Sequence, residues 1–206
     1  MKKHTLEQFK AAFKSKGYKF FTGRYNINLF GIRSANQQSD SFDDKVGMIY
    51  QNEHDETIIL EFDATTDPGL YWMLHPIVKK GTAIMLPGQY RGAYQIGRHR
   101  NYIGFRQIKE MAYVRDNNKD SILDFNLMND PTKVIWAIIY SNIHRTNDRG
   151  IKSTLVGKWS AACQVLADSD DFDVMLEVAQ TAIDDYGFAN SFTYTLFEEA
   201  DVNISV

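Results

Sequence analysis

Cys163 is the only cysteine of the chain, and His144 is the histidine that most closely precedes it. A thiol attacks a carbonyl as the thiolate, and a free cysteine with a pKa of about 8.5 is only slightly ionised at neutral pH, so nucleophilic chemistry calls for an adjacent base. His144 follows an apolar run, Val134-Ile135-Trp136-Ala137-Ile138-Ile139-Tyr140, that reads as a buried strand, and a side chain at the end of such a strand is better aimed than one on a loop. The sharp reading is a Cys/His acyl-transfer site. The plain one is a small buried cysteine beside an unrelated histidine, since free cysteine is among the most buried residue types. His99, within Gly97-Arg98-His99-Arg100, ends another strand and is a second base candidate, its pKa lowered by its basic neighbours. Trp159 and Ser160 stand just before the cysteine. The tryptophan would floor a glycan or peptide groove, and the serine would orient His144 or its own loop by hydrogen bonding.

The elements that must position these residues are mostly strands. Thr5-Leu6-Glu7-Gln8 is a capping-box pattern, and Leu6, Phe9 and Phe13 recur at helical spacing before Gly17, which predicts a short amphipathic helix over 6–16. Alternation of apolar and polar residues predicts strands at Tyr18–Phe21 and Tyr25–Ile32, then a hairpin of Val46–Tyr50 and Thr57–Phe62 around a polar tip. Further strands are expected from Thr82 through Ile96, near Tyr102–Phe105, and at Ala112–Arg115. Asp168 to Asp170 offers N-caps to a helix whose apolar face is Phe172, Met175, Leu176, Ala179, Ala182 and Ile183, and Phe192–Phe197 reads as a last strand. No βαβ alternation and no linker stand out. The expected fold is α+β: one β-rich domain with a mixed or antiparallel sheet or barrel-like sandwich, a short N-terminal helix and a C-terminal helix packed on it. Residues 1–33 are expected to form an N-terminal helix and strand extension, and 34–206 the core.

The chain of 206 residues suits a single packed domain, and one cysteine rules out an internal disulfide. A net charge of -3 with scattered Lys and Arg leaves no basic footprint for nucleic acid. The opening MKKHTLEQFKAAFKSKG lacks an uninterrupted apolar segment, so it reads as neither a secretory signal nor a membrane anchor. The expectation is synthesis in the cytoplasm, no membrane insertion, and action at a cell wall or in a virion only after delivery by other means. Asp116, Asn118, Asp120 and Asp124 take the first, third, fifth and ninth positions of a calcium loop. Ser121 replaces the usual glycine and Leu127 the closing glutamate, so a polar Asx turn competes with a Ca2+ site. No other cofactor is expected.

Fifteen residues separate His144 from Ser160-Ala161-Ala162-Cys163, and Pro87-Gly88-Gln89-Tyr90 leads into an alternating strand upstream. This arrangement resembles the catalytic motif of the L,D-transpeptidase (YkuD-like) family. There a histidine ending one strand precedes, at about this separation, a Ser/Thr-His-Gly-Cys signature, and a Pro-x-Gly-x-Phe segment lies upstream. The resemblance spans roughly Gly81 to Leu166. It implies a YkuD-like fold, Cys163 as nucleophile, His144 as general base, and the backbone of Ala161 to Cys163 as an oxyanion site. The implied substrate is a peptidoglycan stem peptide, acylated on Cys163 as a thioester. A non-catalytic wall-binding or phage structural module on the same fold is the competing class. Arg145 would bind a substrate carboxylate bidentately. Ala161-Ala162 stand where the family has His-Gly, and Gln164, assigned to substrate, stands where it usually has Arg or Asn. Replacing that glycine strains the loop if its position needs positive φ.

Overall fold

A computed structural model describes residues 3–203. In chain order the regular elements are α1 (Leu6–Ser15), β1 (Asn28–Arg33), β2 (Asp44–Gln51), β3 (Thr57–Thr65), α2 (Leu70–Leu74), β4 (Thr82–Met85), β5 (Gly88–His99), β6 (Tyr102–Gln107) and β7 (Met111–Asp116). Two 3-10 turns, Phe125–Asn129 and Pro131–Lys133, precede β8 (Ile135–Ala137), β9 (Ile143–Arg145), β10 (Gln164–Leu166), α3 (Ser169–Asp184), β11 (Phe192–Glu198) and α4 (Glu199–Val202). Eight strands close a barrel in the order β1-β11-β5-β6-β9-β10-β3-β2, and β4-β7-β8 form a separate small sheet. The β1/β11 and β9/β10 pairs are parallel, and the other barrel pairs are antiparallel.

Local chemistry explains the helices. The Thr5 hydroxyl accepts from the Gln8 amide at 3.3 Å while Gln8 Oε1 accepts from the Thr5 amide at 2.9 Å, so the capping box is reciprocal. Phe9, Ala12 and Phe13 of α1 pack on Phe30, Ile32, Ile49 and Phe197 outside the barrel, while Leu29, Met48, Tyr194 and Leu196 face its interior. Both faces of β1 are therefore covered, and all six of its residues are buried. Such a strand is part of the barrel wall, so the expected division into a 1–33 extension and a 34–206 core does not hold. α3 starts at Asp168, whose carboxylate accepts from the Asp170 amide at 3.0 Å, and lays Phe172, Met175, Ala179 and Ala182 into the main core.

One expected strand does not form and another is exposed rather than buried, each for an identifiable reason. Tyr18–Phe21 is extended but unpaired: the Lys19 amide donates to Gln89 Oε1 at 2.9 Å and the Phe21 amide to Asn28 Oδ1 at 2.7 Å, so side-chain amides take the place of a neighbouring strand. The apolar run at Val134–Tyr140 is not buried. Its β8 portion pairs only with β7 at the edge of the small sheet, leaving Trp136 61% and Tyr140 64% exposed. Gln107 holds the rest of the run, donating to the Ala137 carbonyl and accepting from the Ile139 and Ser141 amides.

At the turn after β3, the buried Arg33 guanidinium donates to the Met85 and Thr66 carbonyls and pairs with Asp67 at 2.9 Å. Asp44 accepts from the Ser34 and Thr66 amides. Burial, then the neighbouring Asp67 charge, push the Asp44 carboxyl above its usual range. The Gly69 amide at this turn donates to the Ser160 carbonyl at 2.9 Å, anchoring the loop that carries Cys163.

Candidate active site

His144 sits on β9, and Cys163 immediately precedes the adjacent parallel strand β10. In the β9/β10 register Gln164 pairs with Ile143 and Val165 with His144. Side chains alternate along a strand, so His144, Val165 and the flanking Asn142 belong to one face, while Ile143, Gln164 and Leu166 belong to the other. Aiming His144 is the work of β9, a three-residue strand of the barrel, rather than of the exposed 134–140 run.

The imidazole of His144 is buried, and its Nδ1–H donates to the Arg145 carbonyl at 2.8 Å. That bond leaves Nε2 as the unprotonated nitrogen. Burial lowers its pKa to about 3; the Arg145 carbonyl opposes the shift, and His99 and Arg100 add to it. His99 lies face to face with it, ring centroids 4.6 Å apart and planes 15° from parallel. Burial, then Arg100 and Arg106, lower the His99 pKa as well.

Cys163 is half-buried, and its Sγ donates to the Tyr140 carbonyl at 3.7 Å. Among the described residues no hydrogen bond joins Sγ to either imidazole. Burial pushes the thiol up to about 11, against the Asn142 backbone amide and Arg100, which favour the thiolate. The resting pair is accordingly neutral thiol and neutral imidazole.

The turn before the cysteine is tightly specified. Ser160 Oγ donates to the Cys163 carbonyl at 2.8 Å and accepts from the Ala162 amide at 3.3 Å. Ser160 therefore shapes the loop and does not reach His144. The Ala162 carbonyl accepts from the Ser141 hydroxyl and from Gln164 Nε2. Ala162 itself has φ 123°, a conformation that L residues rarely adopt, at the position where the resembling family carries glycine. The Ala161 and Cys163 amides make no hydrogen bond among the described residues, leaving two backbone donors in the cysteine turn.

A groove of about 460 Å3 opens beside His144, its walls including His99, Tyr102, His144, Arg145, Arg149 and Trp159. Trp159 is 39% exposed there, as a groove floor requires. Arg145, a half-buried residue that lines the groove, lies over the Tyr102 ring at 4.8 Å and donates to the Asn147 carbonyl at 2.8 Å. Gln164 corrects its expected role. It is wholly buried inside the barrel, where Oε1 accepts from the Tyr194 hydroxyl at 3.1 Å and Nε2 donates to the Ser141 hydroxyl and the Ala162 carbonyl. It thus braces the cysteine turn from within and has no face toward substrate. Gly31 keeps this brace in place: a Cβ there would fall 2.0 Å from the Tyr194 hydroxyl.

The 116–124 loop is a chain of Asx turns. Asp116 accepts from the Asn118 and Asp124 amides, Asn118 Oδ1 from the Asp120 amide, and Asp120 from the Ile122 amide. Among the described residues no group of three or more His, Cys, Asp or Glu side chains is placed to hold a metal ion, and no helix is long and apolar enough to cross a membrane.

Asn142 and Ser141 were not singled out from sequence. Asn142 stands two residues before His144, so strand alternation alone puts it on the same face, and that was the available signal. Ser141, which bridges the Tyr94 hydroxyl at its carbonyl and Ala162 at its own hydroxyl, left none. A scan against protein-family models, a search of curated proteins and a search of solved structures each find no match to this chain.

Proposed function

We propose that this chain is a cysteine-dependent acyl-transfer enzyme, a transpeptidase or peptidase, acting on peptidoglycan stem peptides through a thioester intermediate. One observation carries the reading: the Nδ1–H of His144 is committed to the Arg145 carbonyl, which leaves the Nε2 lone pair free on the strand that pairs with β10, the strand directly after Cys163. The positive φ of Ala162 lends support to the L,D-transpeptidase (YkuD-like) resemblance, because the turn keeps a glycine-type conformation without the glycine.

In the proposed reaction Sγ attacks the stem-peptide carbonyl carbon. As the S–C bond forms, the thiol proton passes to His144 Nε2 and the carbonyl oxygen becomes an oxyanion, received by the free amides of Ala161 and Cys163. Collapse breaks the C–N bond, and the departing amine takes the proton back from His144, leaving the thioester. An amine or water then gives its proton to the same nitrogen, attacks the thioester and releases the thiol. Because the resting thiol is neutral, proton transfer accompanies attack rather than preceding it. Arg145 would hold a substrate carboxylate, and Trp159 would supply an apolar floor.

A non-catalytic wall-binding or phage structural module on the same fold is favoured by a different observation, the raised thiol pKa without a hydrogen bond from Sγ to an imidazole. Intact-protein mass spectrometry after exposure to a carbapenem separates the two. The enzyme reading expects one covalent adduct that disappears in Cys163→Ala; an unmodified thiol after prolonged exposure at high concentration refutes it.

A further inference from the structure

The two stacked imidazoles are held in opposite tautomers by hydrogen bonds that do not depend on each other. His144 donates through Nδ1 to the Arg145 carbonyl. The tautomer of His99 is set one residue pair away. Asn142 Oδ1 accepts from the Gln107 backbone amide at 2.9 Å, which fixes the orientation of the side-chain amide and turns Nδ2 toward His99 Nδ1 at 3.0 Å. An NH2 group can only donate, so His99 Nδ1 accepts and its proton resides on Nε2. The base has a lone pair at Nε2, and its stacked neighbour has an N–H there.

We propose that His99 is a positioning residue of the acyl-transfer site, whose Asn142-locked Nε2–H tautomer holds the His144 ring in register by stacking while keeping a second positive charge away from it. This rests on the acyl-transfer reading of Cys163. The groups facing His99 agree with a neutral ring: Arg100 follows it in the turn, Arg106 and Tyr102 approach from β6, and His144 and Asn142 approach from the β9 side; none carries a negative charge. A cationic His99 would oppose formation of the His144 imidazolium in the step that removes the thiol proton. The resembling family places a histidine two residues before the cysteine, where this chain has Ala161. Here a second imidazole reaches the base from β5 instead.

Long-range 1H–15N correlation spectra of the full chain labelled in histidine read both tautomers without any reaction. The expected pattern is Nδ1–H for His144 and Nε2–H for His99, the latter lost in Asn142→Ala. Carbapenem acylation of Cys163 is then followed against pH. His99→Phe, which retains the stack, should stay within about threefold of wild type, whereas His99→Ala should slow acylation on the order of 10- to 100-fold. Asn142→Asp, which lets His99 hold protons on both nitrogens, should move the acidic limb of the profile to higher pH. A His99 that carries its proton on Nδ1 or averages both tautomers overturns the assignment, and so does a His99→Ala protein acylated at the wild-type rate. A wild-type chain with the assigned tautomers but no adduct refutes acyl transfer, and with it this role for His99, whereas an adduct with wrong tautomers refutes the present inference alone.

Discussion

Replacing His144 with asparagine should remove a specific part of the acid sensitivity of folding. The asparagine amide retains a donor for the Arg145 carbonyl but does not titrate. In the wild type the imidazole has a pKa of about 3 when folded, against 6.5 for the unperturbed group. Between those values the unfolded chain binds a proton that the folded protein refuses, so stability rises with pH, is fully present above 6.5, and is lost as pH falls. With 1.36 kcal/mol per decade, the cost to the wild type from this residue is about 2 kcal/mol between pH 7.5 and pH 5, approaching roughly 5 kcal/mol near pH 3. The buried Asp44 works in the opposite sense, since its raised carboxyl pKa favours the fold on acidification. It is common to both proteins and drops out of their difference. Urea unfolding of wild type and His144→Asn at a series of pH values supplies that difference. It should shift by about 2 kcal/mol in favour of the variant on going from pH 7.5 to 5. A difference that stays constant with pH would mean that the folded protein protonates His144 as readily as the unfolded chain does, and the neutral base assigned to the site would be wrong.

Two other outcomes are accessible. Iodoacetamide should alkylate native Cys163 at pH 7.5 about 100-fold more slowly than the urea-unfolded chain, with the rate climbing about tenfold per pH unit through pH 10; a plateau below pH 9 would reveal a preformed thiolate. Ala162→Gly should raise the urea midpoint by the equivalent of about 1 kcal/mol through relief of the positive φ, and an unchanged or lower midpoint would show that the turn stores no such strain.

The legible parts of the sequence were those whose cause is local. Thr5 and Gln8 announce α1 because both partners of its cap lie within one turn, and β2 and β3 announce themselves as two apolar runs on either side of a polar tip. Cys163 and His144 could be paired because one connection joins their strands. What stayed hidden depends on distant partners. β9 and β10 have three residues each, too few for a period to show, and Ile135-Trp136 carry the composition of a core strand without a neighbour to bury them. Gln164 reads as a substrate-facing residue, yet Tyr194, Ser141 and the Ala162 carbonyl satisfy its amide within the barrel. The stacking of His99 on His144 joins two strands that pair with opposite edges of the same β6, which no spacing encodes.

The parallel seam between β1 and β11 bears on how the chain reaches this state. Leu29 pairs with Tyr194, so the first strand of the barrel waits on the last. At a ribosomal rate of about 5–20 residues per second, β1 is synthesised on the order of ten seconds or more before its partner emerges. During that interval one edge of β1 has no strand to pair with, and Leu29 and Tyr194 must later meet across nearly the whole chain, a contact of high sequence separation that slows folding. Nascent chains halted before β11 should thus be the species that chaperones hold and proteases cut. The same seam delays the cysteine turn: Tyr194, which braces it through Gln164, arrives with the closing strand, so the thiol gains its finished surroundings only when the barrel shuts.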